Sequence, residues 1–268
     1  MSDYTLAVKV FAYPDGTCSG SALFRPAGWT GDSCARAAGA PEGGRGWRAE
    51  RPDLSRDQLD AMNRRRSARR SRQLLMRHVR SQGMDCLGTL TFGGDILPDP
   101  YQALNLAATW YRLEGRELLG GHPAVLVPEH GDDHGRIHVH LGLHRHGARW
   151  DYARIIRSWS DFLAARGYES PTGNHRVHFS RSLPSRRLSK YLAKYLGKQL
   201  EDIDVPKGCH RYRNIGCDAV QPAWVAVVDC LGGLLGALGL PASLLYPYQL
   251  YRGDGSTVLI GFGFDDGG

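Results

Sequence analysis

Three groups of side chains in this sequence have the types and spacing to do chemistry. The first is the stretch Arg136-Ile137-His138-Val139-His140-Leu141-Gly142-Leu143-His144. At a strand's period of two, Ile137, Val139, Leu141 and Leu143 share one face, while His138, His140 and His144 share the other with Gly142. One face reads as core and the other gathers imidazoles. Histidines at i and i+2 on a strand lie about 6 to 7 Å apart at Cα, which lets both Nε2 atoms reach one divalent ion. The plain alternative is a half-exposed strand with incidental histidines.

The second group adds Glu129, ahead of the turn Gly131-Asp132-Asp133-His134-Gly135. If His130 and Ile137 close a hairpin, Glu129 pairs with His138 and Val127 with His140, which sets the carboxylate beside both rings. A register slip of one residue would bring in His130 instead. Two imidazoles and a carboxylate, with positions open to water or substrate, suit Mg²⁺, Mn²⁺ or Zn²⁺ acting as a Lewis acid. The third group is Ser189-Lys190-Tyr191-Leu192-Ala193-Lys194-Tyr195-Leu196-Gly197-Lys198. Tyr191 and Tyr195 at i,i+4 point the same way on a helix, and Lys194 and Lys198 each follow a tyrosine by three positions. A phenol with a pKa of about 10 is a poor nucleophile, but a polarised phosphate and a nearby ammonium make phenolate attack feasible. Its alternative is an amphipathic helix whose rings pack and whose amines stay wet.

These groups need elements to hold them. Leu87-Gly88-Thr89-Leu90-Thr91-Phe92 reads as a strand closed by Gly93-Gly94, and Ala124 to Val127 as a strand forming a hairpin with the histidine strand. Tyr101 to Leu119 has helical spacing, with Leu104, Ala107, Ala108, Tyr111, Leu113 and Leu118 available for packing. Tyr152 to Arg166 is amphipathic and ends at Gly167, His175 to Phe179 is a short strand, and Ser185 to Leu200 is a helix. Ser55 with Gln58 has the form of a capping box and Gly83 that of a C′ glycine, so Ser55 to Gln82 reads as one long helix. Its apolar stripe (Leu59, Met62, Leu74, Leu75, Val79) is narrow. The other faces are arginine: nine between Arg56 and Gly83 against Asp57 and Asp60, a local excess equal to the whole chain's +7. Like charges at i,i+3 and i,i+4 destabilise a bare helix, and a phosphate backbone removes that cost. A solvated charged helix is the alternative. Interspersed strands and helices with a hairpin make the class α+β.

The flanks say less. Tyr4 to Ala12 is a possible strand, Pro26 to Pro52 is expected to be a disordered linker, Val225 to Val228 and Val258 to Phe262 are possible strands, and the acidic Gly-rich end is expected to fray. The resulting division is 1–54, 55–205 and 206–268. The chain has 268 residues and 42% apolar content, enough for a core, and its pI near 9.2 favours a polyanionic partner. Six scattered Cys, no C-x-x-C pair and no secretory leader point to reduced thiols in a cytoplasmic compartment. Ala223 to Leu240 is broken by Asp229 and four glycines and stopped by Pro241, so it is expected to be core rather than a membrane span. With no G-x-x-x-x-G-K-[ST] loop, any motor must come from another chain.

The strand Leu87-Gly88-Thr89-Leu90-Thr91-Phe92, an acid and turn leading into His138-Val139-His140-Leu141, and the helix from Lys190 to Lys198 about fifty residues on resemble, in that order, the three motifs of the HUH endonucleases. More narrowly, they resemble the two-tyrosine rolling-circle replication initiators of small bacteriophages and plasmids. The resemblance covers about Asn63 to Lys198, half the chain. It implies an antiparallel palm-like sheet with the His-x-His on a central strand and the tyrosine helix packed across it. It also implies metal-assisted tyrosine attack on one phosphodiester of single-stranded origin DNA, leaving a 5′-phosphotyrosine and a 3′-OH that primes synthesis. By motif, His138 and His140 become ligands of Mg²⁺ or Mn²⁺ with Glu129 as the third, Tyr191 and Tyr195 the nucleophiles, and Lys194 an electrostatic or acid-base aid. Arg64, Arg65, Arg66, Arg69, Arg70, Arg72, Lys190 and Lys198 are the expected DNA contacts, a host helicase and polymerase the expected partners, and no membrane is involved. His144 becomes a bystander. A transposase or mobilisation relaxase would share the chemistry, and a non-catalytic nucleic-acid-binding protein using the arginine helix is the rival outside enzymes.

Overall fold

The computed structural model of the chain describes residues 4–15, 18–26, 55–95, 97–130, 136–145, 147–171, 176–180, 182–200, 210–221, 223–228, 246–253 and 257–263. The expected linker after Pro26, the turn 131–135, the apolar stretch beyond Val228 and the chain's last residues lie outside them. The chain divides into two compact units, Leu54–Ala219 and a second formed by Met1–Asp53 with Val220–Gly268.

In the larger unit, α1 (Arg56–Ser81) starts where its capping box says it should: Ser55 Oγ accepts from the Gln58 N–H and Gln58 Oε1 accepts from the Ser55 N–H. It ends before Gly83, whose φ of +56° is the left-handed conformation a C′ glycine adopts cheaply. Strand β3 (Cys86–Thr91) follows, then α2 (Pro100–Trp110), which runs on through a π turn at Tyr111–Gly115 to Leu118. After these come β4 (Ala124–His130), β5 (Ile137–Leu143), α3 (Tyr152–Ala164), β6 (Val177–Phe179), α4 (Ser185–Leu200) and β7 (Arg213–Ile215). The strands form one antiparallel sheet in the order β6-β3-β5-β4-β7, with the histidine strand β5 at its centre. The unit is α+β, as the interspersed periods predict.

Both faces of that sheet are covered. Leu90, Leu126, Ile137, Val139, Leu141 and Leu143 bury against α2 and α3, where Leu104, Ala107, Trp110, Trp159 and Phe162 meet them. Leu87, Val125 and Val127 bury on the opposite face against Leu75 and Val79 of α1 and Leu188, Leu192 and Leu196 of α4. The histidine face of β5 is therefore not simply the wet one. Its far half is a second core, and only the end carrying His138 and His140 is left for polar work. Leu113 departs from the expected packing and is 65% exposed, lying in the π turn that breaks the α-helical period after Trp110.

The second unit is one antiparallel sheet in the order β8-β1-β2-β10-β9, built from β1 (Tyr4–Ala12), β2 (Cys18–Pro26), β8 (Ala223–Val228), β9 (Tyr246–Gly253) and β10 (Thr257–Gly263). This redraws the three-part division expected from the sequence. Residues from both ends of the chain pair in a single sheet, β8 on β1 and β10 on β2, and the helix-bearing unit runs on past 205 to include β7. Local pattern could not reveal pairing between strands some two hundred residues apart. No helix among the described residues is long and apolar enough to cross a membrane.

Candidate active site

The β4–β5 register is the one that places Glu129 opposite His138 and Val127 opposite His140. Glu129 Oε2 lies 2.5 Å from His140 Nε2, with the two side chains only 19% and 7% exposed. His130 pairs with Ile137 at the turn.

On the other side of β5, the register sets Thr89 opposite His140 and Thr91 opposite His138. Thr89 Oγ1 lies 3.0 Å from His140 Nδ1, and Thr91 Oγ1 lies 3.1 Å from His138 Nδ1. Each ring is thus held by its Nδ1, which turns Nε2 toward the open end of the face. A hydroxyl donates and accepts, so each threonine can hold its imidazole in either neutral tautomer. Sequence reasoning quoted these threonines only as part of a strand. Their alternation in Leu87-Gly88-Thr89-Leu90-Thr91 was the available signal, since both fall on one face. Burial first, then the neighbouring His140 and Arg136, lower the His138 pKa against the pull of Glu129.

Helix α4 completes the group. Leu188, Leu192 and Leu196 recur every fourth residue along its buried stripe, and Tyr191 and Tyr195 each precede one of them on its flank. The Tyr195 ring lies tilted by 36° against His140 at 4.4 Å between centroids, the Tyr191 ring stands 6.3 Å from His140, and the two phenol rings are 4.8 Å apart. The Tyr195 hydroxyl donates to that of Tyr191 at 2.5 Å. Tyr191 is 40% exposed, whereas Tyr195 is half-buried. Burial, the Tyr191 hydrogen bond and the Glu129 charge all push the Tyr195 phenol above its ordinary pKa.

Helix α4 can approach this closely because β5 carries Gly142 beneath it. A Cβ there would fall 2.9 Å from Leu192 Cδ1 and 2.8 Å from Val125 Cγ2. The segment entering α4 is tied down by Asp85, just before β3. Its carboxylate accepts from Ser182 Oγ at 2.9 Å and from the Arg145 N–H at 2.7 Å, and its carbonyl accepts from the Leu183 N–H. Burial alone would raise the Asp85 pKa, but those two donors and His144 outweigh it and hold the carboxyl below its ordinary value. His144 belongs to this clasp, 3.3 Å from Asp85, and not to the His138–His140 pair.

Lys190 and Lys194 are exposed on α4, and Lys198 lies one turn beyond Lys194. Arg64, Arg65, Arg66, Arg69, Arg70 and Arg72 are all exposed along α1, while its last turn buries Leu75, His78, Val79 and Arg80. Cys86 and Cys217 are buried and unbridged, and burial pushes their thiols up to about 11 and about 12, far from reactive thiolates.

For a divalent ion the donor types are right: two imidazoles anchored at Nδ1 and a carboxylate on the adjoining strand. Their spacing is that of a hydrogen-bonded pair, since Glu129 and His140 engage each other and must part to admit an ion. Correspondingly, no group of three or more His, Cys, Asp or Glu side chains among the described residues is arranged to enclose one. What this site brings together is two phenols, two oriented imidazoles and a carboxylate at the rim of an apolar layer. No protein-family model, curated protein or solved structure matches the chain.

Proposed function

We propose that this chain is an HUH-type nickase that opens one phosphodiester of single-stranded DNA by tyrosine attack and so initiates rolling-circle replication. The observation that carries the reading is the pair of α4 phenols set against the His140–Glu129 couple, with hydroxyls 2.5 Å apart and the Tyr195 ring in tilted contact with His140. Two nucleophiles of one kind at one place are not needed to build a core. They suit a reaction that must be run twice, once to cut and once to rejoin.

An incoming strand meets Tyr191 first, because it is the exposed phenol. Its oxygen forms a bond to phosphorus as the bond from phosphorus to the 3′ oxygen breaks. The phenolic proton ends on the departing 3′ oxygen, leaving a 5′-phosphotyrosine. When bound by His138, His140 and Glu129, Mg²⁺ or Mn²⁺ supplies Lewis-acid polarisation of the scissile phosphate. Thr89 and Thr91 keep the imidazoles turned toward that phosphate, and the His140–Tyr195 ring contact holds the second phenol in reserve. Exposed Lys190 and Lys194 add positive charge on the approach to the phenols. The arginines of α1 neutralise the backbone of the strand.

The test is a labelled single-stranded oligonucleotide carrying the cognate origin, incubated with Mn²⁺ and resolved on a denaturing gel. A covalent adduct is expected, reduced more by Tyr191→Phe than by Tyr195→Phe in the first turnover and absent in the double variant. An adduct that survives Y191F/Y195F overturns the mechanism.

A further inference from the structure

On the edge of the sheet where β7 lies, α1, the π turn of α2 and residues 210–214 enclose a cleft of about 520 Å³. None of its lining residues is acidic, and five carry or can carry positive charge: Arg70, Arg112, Arg211, Arg213 and His210. Ser67 and Ser71 of α1 add hydroxyls. Four guanidiniums around one hollow make a positive field that a bound anion would meet favourably. Two of the walls are braced. Arg213 Nη2 donates to Asn105 Oδ1 at 2.5 Å, and Asn214 Nδ2 lies 3.3 Å from His78 Nε2 while its amide closes on the Cys217 backbone in both directions. The cleft is distinct from the tyrosine site, which sits on β5 and α4.

We infer that this cleft is a second nucleic-acid site, which grips the phosphate backbone of a single strand beside the segment bearing the reacting phosphodiester. Its volume is that of a cube about 8 Å on a side, too small to take in a duplex, which is wider than its own roughly 12 Å major groove, and of a size for one strand. The ligand is a polymer and not a lone phosphate because the charge does not stop at the rim. Arg70 in the wall continues one turn back into the exposed Arg66 on the same face of α1, with Arg64, Arg65 and Arg69 exposed on the flanking faces, a charged surface for further phosphates. Leu74, 38% exposed in the same wall, offers an apolar surface to a base. That the strand is DNA rests on the proposed nickase reading; the grip on phosphates does not.

The test uses the full chain in EDTA and follows a fluorescent 20-nucleotide single strand by anisotropy across a salt series. Arg112→Gln/Arg211→Gln is compared with Arg149→Gln/Arg157→Gln, a pair of exposed arginines outside the cleft that removes the same charge. Two lost phosphate contacts at about 0.7 each flatten the slope of log K against log salt by about 1.4, or roughly 25-fold in affinity at 0.1 M salt. The control pair is expected to change neither. Equal effects of the two pairs, or no effect of the cleft pair, overturn the inference. So does tight binding of pyrophosphate that the strand cannot displace. Arg70→Gln, on the exposed face of α1, repeats the test should the double variant not fold. Because no metal is present, loss of the adduct in the nicking assay with this binding intact would sink the nickase reading alone.

Discussion

Gly142→Ala is the sharpest probe of how the tyrosines reach the histidines. Gly142 sits in the central strand, paired to Val125 on one side and Leu87 on the other. An added Cβ would meet Val125 Cγ2 at 2.8 Å, Leu192 Cδ1 at 2.9 Å and Met84 Sδ at 3.2 Å. Carbon atoms rest at about 3.5 to 4.0 Å, so the neighbours must retreat by about 0.7 Å, and one of them is the residue next to Tyr191. Overpacking of this kind costs about 1–3 kcal/mol, while alanine recovers about 0.5–1 kcal/mol of the entropy that glycine loses on folding. The net expectation is a loss of about 0.5–2 kcal/mol in urea unfolding. Activity falls further than stability, roughly ten- to hundredfold in adduct formation, because the phenols move with α4. In a Val125→Ala background the nearest obstacle is gone, so Gly142→Ala should cost at least about 0.5 kcal/mol less. An unchanged stability for Gly142→Ala, or the same cost in both backgrounds, would refute the close-approach argument.

Thr89→Val and Thr91→Val keep the shape of the strand and remove the hydroxyls that hold His140 and His138; Mn²⁺ affinity measured by calorimetry is expected to drop about 10- to 100-fold, and unaltered affinity in the double variant would show that the threonines do not orient the rings. Asp85→Asn should cost about 1–2 kcal/mol at neutral pH, since its carboxylate is a charged acceptor for Ser182 and the Arg145 backbone. The folded pKa of Asp85 lies below the unfolded one, so its contribution is present above pH of about 4 and fades as pH falls through the folded value. Unfolding curves of wild type and variant are therefore expected to converge in acid, and a gap that persists or widens there contradicts the assignment.

Where a signal is local, the residues declared it. The Ser55–Gln58 box, the C′ glycine at Gly83 and the i,i+4 tyrosines are all short-range patterns, and each element formed where its pattern lay. The alternation of β5 declared its faces, and the hairpin with β4 adopted the register that puts Glu129 beside His138. The α-helical period fails at Leu113, where the π turn interrupts it and leaves the side chain outward.

What the chain's own text settled was an inventory: which side chains alternate with core residues, which share a helix face, and where charge accumulates. Tertiary structure decided what those side chains meet. Thr89 and Thr91 acquire the imidazoles as partners only when β3 pairs with a strand some fifty residues away. Gly142 matters only once Leu192 lies over it, and Asp85 only once the end of β5 and the start of α4 converge on its carboxylate. Arg70 of α1 becomes part of a cleft wall only when Arg112 and residues 210–214 close the others. The physical reason is the same in each case. Dihedral preference, capping and periodicity act within a few residues, whereas the partner of a side chain is set by which distant surfaces bury each other.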